Sequence, residues 1–328
     1  MNDTRPLVLT RRSALAGAAL ALAAPTAWAQ ALPNKPIKLI VNFPPGGAAD
    51  VLGRALAQQL GEQTGQQVVV ENRPGANGNI GADAVAKSPA DGSTLLMSSG
   101  GAMTVNPFLY TRMPFDAEKD LLPVSSVARV LVYLVVHPSL PVNTVAEFVA
   151  HAKANPGKLS YGTPGTGSSP HLATEMFRRQ AGFEATHVPY KGAAPALTDL
   201  LAGQVQFMFD PGPGLRHVKD GKLRLLAVGS PRRSSQLPAT PTLAELGITG
   251  FDADTTFGVY APGGTPAALV AALHDAINKA LGVAKVQEVV KSIGGEPATM
   301  SRNEFIQAQQ RDRDRFGAFI REIGLKVE

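Results

Sequence analysis

From Ile37 onward the sequence repeats one unit: a short apolar run, a loop rich in Gly, Pro, Ser or Thr, and then apolar residues at helical spacing. Ile37–Phe43 ends in Pro44-Pro45-Gly46-Gly47, and Leu52, Ala55, Leu56 and Leu60 follow three to four residues apart. Val68–Val70 and Thr94–Met97 read as two further strands, separated by the loop Gly75–Asn79 and a small-residue helix over 80–86. A βαβαβ order of this kind predicts a parallel sheet with crossover helices.

A second series begins near Val130, where Val130–Val136 reads as one continuous buried strand. Strands are expected at 159–163, 186–189, 205–209, 223–228 and 257–260, with helices at 168–179 and 194–202 between them. Three Thr or Ser residues, Thr144, Thr242 and Ser301, stand three places before Glu147, Glu245 and Glu304. In this capping-box pattern the hydroxyl takes the N3 amide and the Glu reaches back. Pro266 reads as a first-turn proline, and the last helix is expected to run to about Gly324. Two βα series in 328 residues suggest two lobes.

Upstream of this pattern, Arg11-Arg12 precedes the Ala- and Leu-rich stretch Ala14–Ala24 and the small-residue site Ala27-Trp28-Ala29. About 11 apolar residues fall short of the roughly 20 that cross a bilayer. The pattern is that of a secretory signal peptide cleaved after Ala29, and the arginine pair suggests twin-arginine export. Cleavage removes Arg5, Arg11, Arg12, Asp3 and the only tryptophan, Trp28, and lowers the formal charge from +5 to +3. With no later stretch of membrane length, the expected address is the periplasm. No run of Lys or Arg exceeds two, which argues against a nucleic-acid partner. Cysteine is absent, so disulfides and thiolate chemistry are excluded.

Chemistry is expected in the loops at strand ends, where open α/β sheets bind ligands. Pro45, Gly46, Gly47 and Asp50 sit between a strand and a helix, as a backbone anion site or as a bare turn. The loop Thr163–Ser169 repeats the arrangement with hydroxyls at Thr166, Ser168 and Ser169, and Pro170 near the helix start leaves the amides of Gly167, Ser168 and Ser169 facing the loop. It lacks the Gly-Lys-Ser/Thr of a phosphate loop and the Gly-x-Ser-x-Gly of a nucleophile elbow, and an anion site is the favoured reading. Lys191 faces an anion or is a solvated lysine, and Asp210 meets a ligand amino or hydroxyl group or caps the next turn. No two of the six histidines have His-x-x-x-His spacing, so no metal or cofactor is expected. Ser168, His171 and Asp210 supply the residue types of a hydrolytic triad, but Ser168 and His171 lie three apart on one helix.

Eight stretches in order resemble the Bug-type, TctC-like binding proteins of tripartite tricarboxylate transporters. They are Phe43-Pro44-Pro45-Gly46-Gly47-x-x-Asp50, Val70–Gly81, Pro89–Leu96, Tyr161–His171, Val188–Gly192, Gly203–Asp210, Pro241-Thr242-x-x-Glu245-x-Gly247 and Ala261–Pro266. The resemblance implies a two-lobed periplasmic binding fold of the Venus-flytrap type, each lobe a mixed, mostly parallel α/β sheet flanked by helices. Residues 30–126 and 254–328 are expected to form lobe 1, and 127–253 lobe 2. It implies a small carboxylate in the cleft (a di- or tricarboxylate, an acidic amino acid or an aromatic acid), delivered by a monomeric receptor to membrane subunits. Carried over by position, Pro45, Gly46, Gly47, Asp50, Asn77 and Ser99 shape one side of the site. Thr163, Gly165, Thr166, Gly167, Ser168, His171, Lys191 and Asp210 shape the other. Where the family often has Trp before Phe257-Gly258, this chain has Thr256. The alternatives are a secreted serine hydrolase using Ser168 and His171, or a ligand sensor of the same fold for a signalling kinase.

Overall fold

In the computed structural model, which describes residues 32–327, the first three strands and their helices follow the expected alternation. The leader and its cleavage site after Ala29 lie outside the described residues. β1 (Ile37–Val41), α1 (Ala48–Thr64), β2 (Val68–Asn72), α2 (Asn79–Ala86) and β3 (Thr94–Ser98) form a right-to-left run in which β1 pairs in parallel with both β2 and β3. Two single-turn helices, α3 (Gly101–Thr104) and α4 (Asn106–Leu109), lead to β4 (Leu121–Val130).

The apolar run Val130–Val136 is not one strand. β4 ends at Val130 in the first sheet, and β5 (Tyr133–Val136) begins in the second. Leu131 and Val132 carry the chain between them, and both are fully buried. Val130 packs in the first core while Val132 packs in the second. The run stays apolar because each residue leaves one core only to enter another, so periodicity cannot register the change of sheet.

The second sheet grows from α5 (Val145–Ala154), β6 (Ser160–Thr163), α6 (Ser169–Ala181), β7 (Thr186–Pro189), α7 (Ala193–Leu201), β8 (Phe207–Asp210), α8 (Leu215–Lys219) and β9 (Arg224–Val228). Its strand order is β7-β6-β8-β5-β9, with β6 parallel to β7 and β8 and β5 antiparallel to β8 and β9. Thr144 Oγ1 accepts the Glu147 amide at 3.1 Å, but the Glu147 carboxylate takes the Asn143 amide instead of that of Thr144. Thr242 and Glu245 form both capping bonds, yet these close an isolated turn and no helix follows. Gly247, at φ +92°, ends the turn.

The chain then returns to the first sheet with β10 (Thr255–Pro262), α9 (Ala267–Leu281), α10 (Ala284–Ser292), β11 (Glu296–Pro297) and α11 (Arg302–Ile323). Pro266 is the cap of α9, one place before its first residue. Ser301 and Glu304 make the complete capping box at α11. The first sheet is therefore six-stranded, β11-β4-β10-β3-β1-β2, with β10 antiparallel between β4 and β3.

Each sheet has its own core. Leu39, Val41, Leu52, Leu56, Met97, Val259 and Leu273 fill the first. Phe148, Phe177, Phe183 and Phe207 fill the second, with Phe148 edge-on to Phe207 at 4.9 Å. Burying each such side chain contributes about 1.5–3 kcal/mol. α11, whose 22 residues span about 33 Å, connects the two bodies. Its Phe305 packs with Tyr260 of the first sheet, and its Phe316 and Ile320 pack with Leu109 and with Leu172 of α6. The architecture is a two-lobed α/β fold.

Candidate functional site

The parallel pairing of β1 and β3 brings their C-terminal ends to one edge of the first sheet, and antiparallel β10 adds its N-terminal end there. β6, β7 and β8 bring their C-terminal ends to one edge of the second sheet. A cleft open to solvent lies between these two edges.

On the first-sheet side, Gly46 adopts φ +81°, and the turn before α1 is fastened from behind by Asp50. Its carboxylate accepts the Gly46 amide at 2.9 Å, Arg54 Nε at 3.1 Å and Asn72 Nδ2 at 2.9 Å. Burial alone would raise this carboxyl, but the bonds from Arg54, Gly46 and Asn72 hold it below its ordinary value. Asp50 is thus a positioning residue folded away from the cavity. Gly47, Ala48 and Ala49 line it, and the first amides of a helix have no partner within that helix. Asn77, in the left-handed region at φ +49°, donates to Asn106 Oδ1 at 2.8 Å and lines the cavity together with Ser99.

On the second-sheet side, the loop before α6 satisfies much of itself. The amide of Gly167 donates to His171 Nδ1 at 3.1 Å, and that of Ser168 to the Gly165 carbonyl at 3.1 Å. The expectation that both amides stand free is therefore corrected, and of the three only Ser169 remains at the helix start. Ser168 Oγ also donates to the Gly165 carbonyl, at 2.7 Å. Ser168 and His171 consequently do not form the nucleophile–base pair that a hydrolase requires. Thr163 is buried behind the loop, its Oγ1 2.7 Å from His187 Nε2 and accepting the Gly165 amide.

His171 and His187 stack at 4.1 Å between ring centroids, and Tyr161 adjoins both, 5.0 Å from His187 and 6.5 Å from His171. Because Nδ1 of His171 accepts a hydrogen bond, the ring is neutral with its proton on Nε2. Burial, and for His171 also the neighbouring His187, lowers both imidazoles to about 4. The two histidines lie 16 residues apart on a helix and a strand, so no local motif announces the pair.

A third helix also begins at the cavity. Gly192 caps α7, and Ala193 and Ala194 line the wall. A Cβ on Gly192 would stand 3.0 Å from Pro44 Cγ, and one on Gly167 only 2.1 Å from Leu109 Cδ2. The loops of the two lobes thus meet across the cleft. The side chain of neighbouring Lys191 is exposed and does not line the cavity. Asp210 does not line it either. It is fully buried, with Oδ2 accepting the amides of Gly212 at 2.7 Å and Gly214 at 2.8 Å. Burial lifts its carboxyl to about 6 against the pull of these amides. Asp210 therefore caps the turn that presents Pro211 to the cleft.

Of the predicted residues, Pro45, Gly47, Asn77, Ser99, Gly167 and Ser168 line the cavity. Gly46, Asp50, Thr163, Gly165, Thr166, His171, Lys191 and Asp210 do not, and several of these hold the lining loops in place. Sequence reasoning missed Ala193, Ala194, Pro211, Thr255 and Phe257. Thr255 and Phe257 share a face of β10, whereas Thr256 alternates away and is absent from the lining. Among the described residues no charged side chain lines the cavity. What it offers an anion is the positive ends of α1, α6 and α7, each equivalent to about half a unit charge.

The model of the family described as tripartite tricarboxylate transporter family receptor matches residues 52–325. BugT of Bordetella pertussis is 40% identical over 325 residues, covering 98% of this chain and 99% of its own length. Among solved structures, R. palustris Rpa4515 with adipate is similar at TM-score 0.86 and 37% identity, over 90% of this chain and 99% of that one. The periplasmic binding protein BugD is similar at TM-score 0.83 and 30% identity, over 90% and 100% respectively.

Proposed function

Because the chain belongs to the tripartite tricarboxylate transporter family of receptors, we propose that it captures a small carboxylate in the cleft between its lobes and delivers it to membrane subunits of such a transporter. The observation that carries this reading is the convergence of three helix N-termini, from both lobes, on a cavity without a charged side chain. A carboxylate there accepts backbone and hydroxyl hydrogen bonds, each contributing roughly 1.5–3 kcal/mol before ordering costs. A micromolar dissociation constant needs about 8 kcal/mol, which a handful of such bonds supplies. The two bodies that close on the ligand are residues 32–130 with 254–327, and residues 131–253; the lobe boundary expected after residue 126 is corrected to Val130, because β4 runs to that residue in the first sheet. The chain reaches the periplasm by its leader, cut after Ala29, as a receptor without catalysis. Rpa4515 with adipate supports a carboxylate as the ligand class.

Calorimetry on the mature chain with mono-, di-, tri- and aromatic carboxylates tests the reading. At least one is expected to bind with micromolar or tighter affinity. Failure of the whole panel, together with hydrolysis of an ester that is lost in Ser168→Ala, would refute it.

A further inference from the structure

Two properties of the cavity narrow its ligand. The first is the chemistry of its walls. Apart from Thr255, its polar side chains, Asn77, Ser99, Ser168 and Ser169, belong to the loops at the helix starts, and Phe43, Val105, Pro164, Pro170, Pro195 and Phe257 line the rest with hydrocarbon. Asp50 and Asp210 are folded into turns that their carboxylates fasten, and neither lines the cavity, so a ligand ammonium finds no acidic side chain among the lining residues. A hydroxyl or amino group buried against the hydrocarbon part of the wall loses its water without replacement, a penalty worth roughly tenfold or more in affinity.

The second is Thr255. Of the residues that line the cavity, it alone has a buried side-chain polar atom without a hydrogen-bond partner among the described residues. It is 6% exposed and sits at the first position of β10, beside the end of β4 at Val130. In the sheet order β10-β3-β1, it is two strand spacings, about 10 Å, from the strand that leads into α1. A carboxylate on the amides of α1 and a hydrogen-bonding group at Thr255 are therefore bridged by a chain of about six carbons or a para-substituted ring.

Resting on the carboxylate-receptor reading, we infer that the ligand joins its carboxylate to an unsubstituted hydrocarbon body whose far end carries one hydrogen-bonding group received by the Thr255 hydroxyl. Aspartate, malate and citrate are disfavoured by the walls. Thr255 is the residue that measures the length and terminus of the ligand.

The experiment is calorimetry of the mature protein with adipate, 4-hydroxybenzoate, hexanoate, malate, aspartate and citrate, repeated with Thr255→Val and Thr255→Ser. Adipate or 4-hydroxybenzoate is expected to bind at least tenfold more tightly than malate, aspartate or citrate. Thr255→Val is expected to weaken that ligand at least fivefold while leaving hexanoate within twofold, and Thr255→Ser to retain wild-type affinity. Tighter binding of malate, aspartate or citrate overturns the inference and leaves the receptor reading intact. Equal losses in Thr255→Val for all ligands, no loss for any, or equal losses in Thr255→Ser overturn the role of Thr255. Binding of none of the six overturns the inference, and the carboxylate reading is then decided by the wider carboxylate panel and the ester assay.

Discussion

Acidification from pH 7.5 to 4.5 should destabilise the second lobe through His171, and His171→Asn should remove that part of the loss. His171 is 3% exposed, and its imidazole is lowered from 6.5 to about 4 by burial first and by His187 second. A group with a depressed folded pKa binds fewer protons folded than unfolded in the interval between its two values. The stability it contributes is complete above about 6.5 and declines as pH falls toward 4. Between pH 7.5 and 4.5 a depression of this size gives a loss on the order of 2–3 kcal/mol. The buried acids Asp210 and Asp312, raised to about 6, and Asp254, raised to about 7, act in the opposite sense over the same range. The wild-type curve therefore mixes these contributions with that of His187, which acts in the same sense as His171, whereas the difference between wild type and His171→Asn isolates the share that depends on His171. Asn keeps an acceptor for the Gly167 amide and does not titrate. Trp28, the only tryptophan, precedes the described residues, so urea unfolding at each pH is best followed by circular dichroism. The expected result is a variant that loses on the order of 2–3 kcal/mol less than wild type between pH 7.5 and 4.5. Parallel curves over that range would refute the neutral, buried assignment of His171.

Gly167→Ala should weaken ligand binding at least tenfold, because its Cβ would stand 2.1 Å from Leu109 Cδ2, inside a packed cluster, at φ +81°; unchanged affinity by calorimetry would show that this loop does not approach lobe 1 in the bound state. Gly46→Val should also weaken binding, here by backbone strain alone, since nothing lies within 4 Å of the added Cβ while φ is +81°; a thermal melt that stays cooperative alongside a tenfold rise in Kd is the expected pair of readings. Asp50→Ala should lower stability by about 1–3 kcal/mol, the cost of leaving the Gly46 amide and Asn72 without their acceptor, and should reduce affinity in parallel. Denaturation and titration of the same preparation check both effects.

Strands that end in glycine and proline were readable because the chain must stop pairing where it turns, and β1, β2 and β3 appear where the alternation places them. Val130–Val136 misled for the same reason that it is apolar: burial has no address, and Leu131 and Val132 are buried while crossing between sheets. Thr242 and Glu245 carried a correct local signal, since both bonds form, but Gly247 ends the segment before a second helical turn accumulates. At the site, loop chemistry was legible and side-chain direction was not. Asp50, His171 and Asp210 flank the expected loops, yet each accepts amides of the loop beside it. Thr255 carries no motif at all. Its exposure to the cleft follows from the antiparallel placement of β10 beside β3, a pairing between segments far apart in sequence.

The insertion of β10 between β3 and β4 also fixes an order of assembly. A chain made as far as residue 250 already holds every strand of the second sheet, β5 to β9. In that same chain β3 and β4 face each other across a gap of two strand spacings, about 10 Å, with ladder edges unpaired on both sides. Only when residues 255–262 arrive does the gap close, and only after them does α11 bind the two bodies together. The lobe that begins the chain is thus the last to be finished, and a truncated or stalled product presents one completed lobe beside an open sheet edge ready to pair with another chain.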